Sequence, residues 1–211
     1  MPPPYGPAVQ PAYAHGPYFV PRDPFFASVV LLMHFDGANG SQVFTDQKGH
    51  AFAVGGGVPV LSTAAPKFGS AALYMDKFDG SLIDYISTPH AADLEIAAAD
   101  WTVEYQIRFM EAVDRYGGYV TKGNGAAVYS WFCNIDAGRL QVNVNGVGDL
   151  LTAAQAFTQN QWYHIAFCRA GAVTRGFVDG IQVGAGGATN SPGNAGVGVL
   201  VGNADTSGAV A

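Results

Sequence analysis

Charge is what this sequence has least of. Only 12% of its 211 residues are Asp, Glu, Lys or Arg, about half the usual share. The Lys and Arg residues form no run, and the net charge is −6. Phosphate binding needs clustered positive charge, so nucleic acid is excluded as an expected partner. Long apolar runs are also missing. The longest, Phe25 to Phe35, is about half of what a bilayer-spanning helix needs, so no membrane insertion is expected. The opening residues, Met1-Pro-Pro-Pro-Tyr5, carry neither a basic nor an apolar stretch and do not read as a secretory signal. Two cysteines, Cys133 and Cys168, make no disulfide framework. Both read as buried free thiols inside strands, with a bridge left open should those strands be neighbours. This usage fits synthesis in a reducing cytoplasm. No serine elbow, P-loop, paired histidine or Cys-x-x-Cys motif is present.

Glycine, proline and apolar residues fill the space that charge leaves. There are 28 glycines and 12 prolines, and 49% of residues are apolar. Eight of the prolines precede residue 25, and no charged side chain appears before Arg22. Aromatics are interleaved with them: Tyr5, Tyr13, Tyr18, Phe19, Phe25 and Phe26. Proline forbids helix and central strand, so residues 1–27 are predicted to be an extended arm. Disordered tails are rich in charge and poor in aromatics; this segment is the reverse. The six aromatics are therefore read as anchors that dock the arm on a partner.

Residues 28–211 read as strands and turns. Trp101–Phe109 alternates strictly, with Trp101, Val103, Tyr105, Ile107 and Phe109 on one side and Thr102, Glu104, Gln106 and Arg108 on the other. That is the period of a half-buried antiparallel strand. Further strands are predicted at Val29–Phe35, Gln42–Thr45, Lys67–Met75, Leu82–Ile86, Tyr119–Lys122, Ala127–Asn134, Arg139–Val144, Trp162–Arg169, Thr174–Val178 and Val197–Val201. Helical turns fit only Ala91–Ala98 and Leu150–Phe157. Many short strands at about ten-residue spacing predict an all-β antiparallel sandwich.

Five landmarks stand in order: LLMHFDG at Leu31–Gly37 with Phe44 and Asp46, KFGSAALY at Lys67–Tyr74, DWTVEY at Asp100–Tyr105, QWYHIA at Gln161–Ala166 and FVDG at Phe177–Gly180. Together they resemble the laminin G-like branch of the concanavalin A-like lectin/glucanase superfamily, in the form common in bacteriophage virion proteins. The resemblance implies a jelly roll over about residues 29–203. Such domains usually carry a further strand after the region matching Leu200–Asn203, and Asp205–Ala211 has no such pattern. The expectation is that a neighbouring subunit, or an arm from one, completes or covers the sheet edge at Val29–Phe35.

Glucanases on this scaffold carry carboxylates at alternate positions of one strand, and retaining glycosidases need carboxyl groups about 5–5.5 Å apart. Here Glu104 has only Asp100 as a same-strand acid, roughly 13 Å away. The chain is therefore not read as an enzyme. His164 and His34 read as structural histidines. Asp36, Asn39 and Asp46 offer hard oxygens for calcium, but turns use the same residues for their own hydrogen bonds; no metal site and no cofactor are assigned. For sugar, the available aromatics are Tyr116, Tyr119, Trp131 and Tyr163, most of them expected in the core. The reading that follows is a non-enzymatic structural or decoration component of a phage virion, on capsid or tail, with other virion proteins and copies of itself as partners. The alternative is an adhesin that binds a host surface glycan.

Overall fold

The computed structural model describes residues 24–75, 84–95, 99–111, 117–123, 129–144, 147–187 and 196–202, with backbone only at 117–119, 129–130 and 147–149. Within them lie strands β1 (Phe44–Thr45), β2 (Ala51–Gly56), β3 (Val60–Ser62), β4 (Ala72–Tyr74), β5 (Tyr85–Ser87), β6 (Trp101–Arg108), β7 (Gly117–Gly123), β8 (Tyr129–Asp136), β9 (Arg139–Val144), β10 (Val147–Leu151), β11 (Trp162–Ala170), β12 (Val173–Val178), β13 (Ile181–Gly187) and β14 (Val199–Gly202). An eight-stranded sheet has the order β1-β2-β5-β14-β7-β8-β9-β10, a four-stranded sheet the order β13-β12-β11-β6, and β3 pairs with β4. Every pairing is antiparallel.

The alternation of apolar residues decides how the sheets meet. Cys133, Ile135, Leu140, Val142 and Val144 of the larger sheet, and Ile165 and Phe167 of the smaller, are wholly buried in one shared core. A second cluster of Phe44, Phe52, Leu61, Ala71 and Ile86 fills the end beneath β1, β2 and β5. Leu31 packs against both. This is the all-β antiparallel sandwich that the periodicity predicted.

Several expectations need correction. Val29–Phe35 is no ladder strand; it makes a single bridge, Met33 to Asp46. Phe35 at φ 59° turns the extended run aside, and the Asp46 carboxylate, not a neighbouring backbone, takes the Leu32 N–H at 2.8 Å. Ala91–Ala98 contains a 3-10 turn at Ala92–Leu94. Leu150 and Leu151 belong to β10, and 152–158 forms no helix. Strands β2, β3, β10 and β13 were not foreseen. Cys133 points into the core from β8, whereas Cys168 on β11 of the other sheet points away from the core and is half-buried; both are free thiols. The end of the arm is not extended: Phe26–Ser28 is a 3-10 turn. Phe25 there is 73% exposed, and Lys48 Nζ stands 4.4 Å above the Phe26 ring. Tyr5, Tyr13, Tyr18 and Phe19 lie outside the described residues, as do 203–211, where a completing strand was sought.

The loop before β14 passes too close to residue 88 for any side chain. A Cβ on Gly198 would stand 1.6 Å from the Thr88 carbonyl oxygen, next to the Thr88 N–H bond to Val199 O at 2.9 Å. Backbone cannot yield as a flexible side chain can. Gly198→Ala is expected to cost about 3 kcal/mol or more in urea unfolding. Gly180→Ala, with φ +78° but open space around it, should cost only about 1–2 kcal/mol.

Candidate functional site

Each sheet turns one face outward, and the two faces differ. On the eight-stranded sheet, Thr121, Phe132, Asn134 and Leu200 point away from the core yet are buried, so the middle of that face is shut. On the four-stranded sheet the outward side chains are accessible or half-buried, apart from Ala166, which is buried. The strand register lays them in rows. Glu104, Ala166, Phe177 and Gln182 form one row across the sheet. Thr102, Cys168, Arg175 and Ala185 form the next, and on the other side stand Gln106 beside His164 and Arg108 beside Trp162.

This face is not an ordinary solvated one. Its central strands carry Trp162, Ala166, Cys168 and Phe177, an apolar floor where a polar surface is normal. Its flanks carry Thr102, Glu104, Gln106 and Gln182. Trp162 and Phe177 are half-buried, while Glu104 and Gln182 are exposed. His164 Nε2 lies 3.1 Å from Glu104 Oε2, and its backbone N–H donates to Asp179 Oδ1 at 2.8 Å. Arg108 is held by Asn160, donating to its carbonyl at 3.1 Å and to its amide oxygen at 3.0 Å. The result is a firm platform with an aromatic surface, amide and carboxylate groups, and one acid. Asp100, the other acid near β6, accepts the Gly171 N–H at 2.7 Å and is part of a turn. The arrangement suits a ligand with apolar faces and hydroxyl edges. Among the described residues, its outward rows place no second carboxylate beside Glu104 to make the pair that most glycosidases use.

Of the aromatics singled out in the sequence, Trp131 and Tyr163 are core. Tyr116 and the Tyr119 side chain lie outside the described residues. Trp162 and Phe177 were missed. The signal was available: inward Tyr163, Ile165 and Phe167 oblige Trp162 to face outward, and Ile165 opposite Val178 turns Phe177 outward with Ala166.

Other polar groups that looked capable of chemistry are occupied with holding loops. Asp36 accepts the Ser70 N–H at 2.6 Å and its hydroxyl at 3.0 Å, and these bonds hold its carboxyl below the usual carboxylate range. Asn39 accepts the Thr63 N–H at 3.1 Å. Asp46, buried, accepts the N–H groups of Leu32 at 2.8 Å and His50 at 3.0 Å and the His50 Nδ1–H at 2.6 Å. Thus the three side chains that offered oxygens for calcium each hold a different stretch of loop backbone instead. Lys122, on β7 and wholly buried, was not anticipated. Its ammonium donates to Val197 O at 2.7 Å and His90 Nδ1 at 3.3 Å and pairs with Glu95 at 3.2 Å. It ties the 88–95 loop to the segment before β14.

Comparison with known proteins matches residues 79–210 to a family model described as the concanavalin A-like lectin/glucanases superfamily. No curated protein matches the chain. Among solved structures, domain 4 of the extracellular arabinanase AbnA from Geobacillus stearothermophilus, in complex with arabinotriose, is 14% identical with a TM-score of 0.50, over 82% of this chain and 84% of that one. The ligand-binding domain of botulinum neurotoxin serotype D, in complex with N-acetylneuraminic acid, is 12% identical with a TM-score of 0.53, over 84% of this chain and 44% of that one. A Trypanosoma rangeli sialidase mutant is 12% identical with a TM-score of 0.54, over 85% of this chain and 28% of that one. At these identities the likeness is one of fold.

His50 joins two acids, with Nδ1 on Asp46 and Nε2 3.1 Å from Asp93 Oδ1. Burial lowers its pKa, but the two carboxylates outweigh this and raise it above 6.5. Burial raises that of Asp46, and the N–H bonds from Leu32 and His50 outweigh this and lower it below 3.8. The histidine's contribution is therefore complete below about pH 6.5 and lost as pH rises through its folded value. That of Asp46 is present above about pH 3.8 and lost as pH falls through its folded value. The urea midpoint of the wild type should drop as pH rises from about 6.5 through the raised pKa of folded His50. In His50→Gln this drop should be absent.

Proposed function

The chain belongs to the concanavalin A-like lectin/glucanases superfamily, and we propose that it acts there as a lectin-like module that binds carbohydrate without cleaving it. The observation that carries the reading is the outward face of the four-stranded sheet, where Phe177 and Trp162 lie among Glu104, Gln106, His164 and Gln182. Sugars present C–H faces that stack on aromatic rings and hydroxyls that pair with amides and carboxylates. Glu104 stands without a second acid in its row, which supports binding over hydrolysis. Two proteins of the same fold, an arabinanase domain and a neurotoxin domain, were solved with sugars bound.

A second reading concerns where the module works. Phe25 is exposed at the start of the described fold, just after a segment holding eight prolines. An extended, aromatic arm loses little entropy on docking because proline has already fixed φ. In this reading residues 1–27 anchor the module to a phage capsid or tail, and the sandwich is displayed on the virion.

Glycan-array screening followed by calorimetry tests the first reading. Phe177→Ala and Trp162→Ala should each weaken the selected glycan about tenfold or more, ~1.4 kcal/mol, and the glycan should remain intact on prolonged incubation. Absence of binding to any glycan would sink it. For the second reading, deletion of residues 1–26 should abolish incorporation into particles while leaving the thermal transition in place. Full occupancy by the truncated chain would refute it.

A further inference from the structure

An antiparallel sandwich must protect its edges, because a free edge presents unpaired N–H and C=O groups to any other strand. Among the described residues, three of the four edges of the two large sheets are protected. β1 is two residues long, and the Met33–Asp46 bridge lies beyond it. On β10 an extra residue between Gly148 and Leu150 breaks the register. On β13 an extra residue lies between Gln182 and Gly184. The fourth edge, β6, is different. It runs eight residues, keeps unbroken register with β11, and contains no proline, glycine or lysine.

The direction of its free groups follows from one hydrogen bond. The Asp179 N–H donates to His164 O at 2.8 Å, so the backbone of His164 faces β12. By alternation, Tyr163, Ile165 and Phe167 turn theirs to β6, where their partners are Ile107, Tyr105 and Val103. The N–H and C=O groups of Thr102, Glu104, Gln106 and Arg108 therefore point off the edge. Among the described residues no strand receives them.

We propose that β6 pairs antiparallel with β6 of a second copy of this chain, about a two-fold axis at Gln106. An isologous contact must be complementary to itself, and this edge is. Centring the pairing on Gln106 places Glu104 opposite Arg108 of the second copy, and Arg108 opposite its Glu104. Gln106 then faces its own counterpart. Centring it on Glu104 would oppose two carboxylates, and centring it on Arg108 would oppose two guanidiniums; like charges directly opposite are unfavourable. Centring it on Tyr105 leaves both charges without a partner across the edge. On the core side, the Gln106 register sets Val103 against Phe109 and Tyr105 against Ile107. These side chains are half-buried where β6 ends the sheet, whereas Ile165 and Phe167 on β11 are sealed. The inference does not depend on sugar binding.

Sedimentation velocity over a concentration series tests it. The wild type should form dimers. Glu104→Arg and Arg108→Glu should each weaken dimerisation at least tenfold while keeping the wild-type circular dichroism spectrum. The double reversal, E104R with R108E, should dimerise again. An equimolar mixture of the two single variants should form heterodimers, because each supplies the charges the other has lost. A wild type that stays monomeric at every concentration overturns the proposal. So do single variants that dimerise like the wild type, or a double reversal that fails to recover.

Discussion

The packing of one sheet on the other constrains everything else in this molecule. Side chains alternate in a strand, so burial of Ile135, Val142 and Ile165 fixes the orientation of every residue before and after them. A one-residue slip would turn Cys133, Val144 and Phe167 to solvent and draw Asn134 and His164 into the core, which makes the register a consequence of burial. The outward rows inherit that precision. Glu104, Ala166, Phe177 and Gln182 share a row because Val103, Phe167 and Val178 have already been placed. Surface chemistry here is the complement of core chemistry.

This dependence explains what was legible in the sequence. Strands with strong alternation, such as Trp101–Arg108 and Arg139–Val144, were readable to within a residue, because one face is apolar throughout. Strands made of small residues were not. Ala51–Gly56 and Ile181–Gly187 carry five glycines between them, and glycine is the least strand-like residue by local preference. Their neighbours place them: β5 beside β2, and β12 beside β13. The reverse error occurred at Val29–Phe35, whose apolar run suggested a ladder. Its backbone instead meets the Asp46 carboxylate and a single bridge, contacts between residues far apart in sequence. The platform was hidden for the same reason: Phe177 and Gln182 become neighbours of Glu104 only across three strands.

The polar groups teach a related lesson. Asp36, Asp46, His50 and Lys122 have the chemistry of ligands or catalysts, but each has its hydrogen-bonding capacity taken up by loop backbone or by a partner charge. Burying Lys122 would be unfavourable without Val197 O, His90 and Glu95 around it. A sandwich has no helices to fix its connections, so buried side chains must do that work at its ends. Groups left open to a ligand are therefore found on the sheet face, where register holds them, and less on the loops that these clamps restrain.

The sheet face and the sheet edge also bear on each other. In an antiparallel pairing with faces preserved, the outward rows of two copies turn to the same side. Phe177 stands two strands in from β6, so the two rings are separated by five strand spacings, about 24 Å, across the sheet and by four residues, about 13 Å, along it. Weak ligand sites on a shared plane gain from a multivalent surface, because the second contact forms at the effective concentration set by the first. A single platform with one acid and two half-buried aromatics offers an isolated sugar few contacts. Two of them on one continuous sheet would suit a surface on which sugars are repeated.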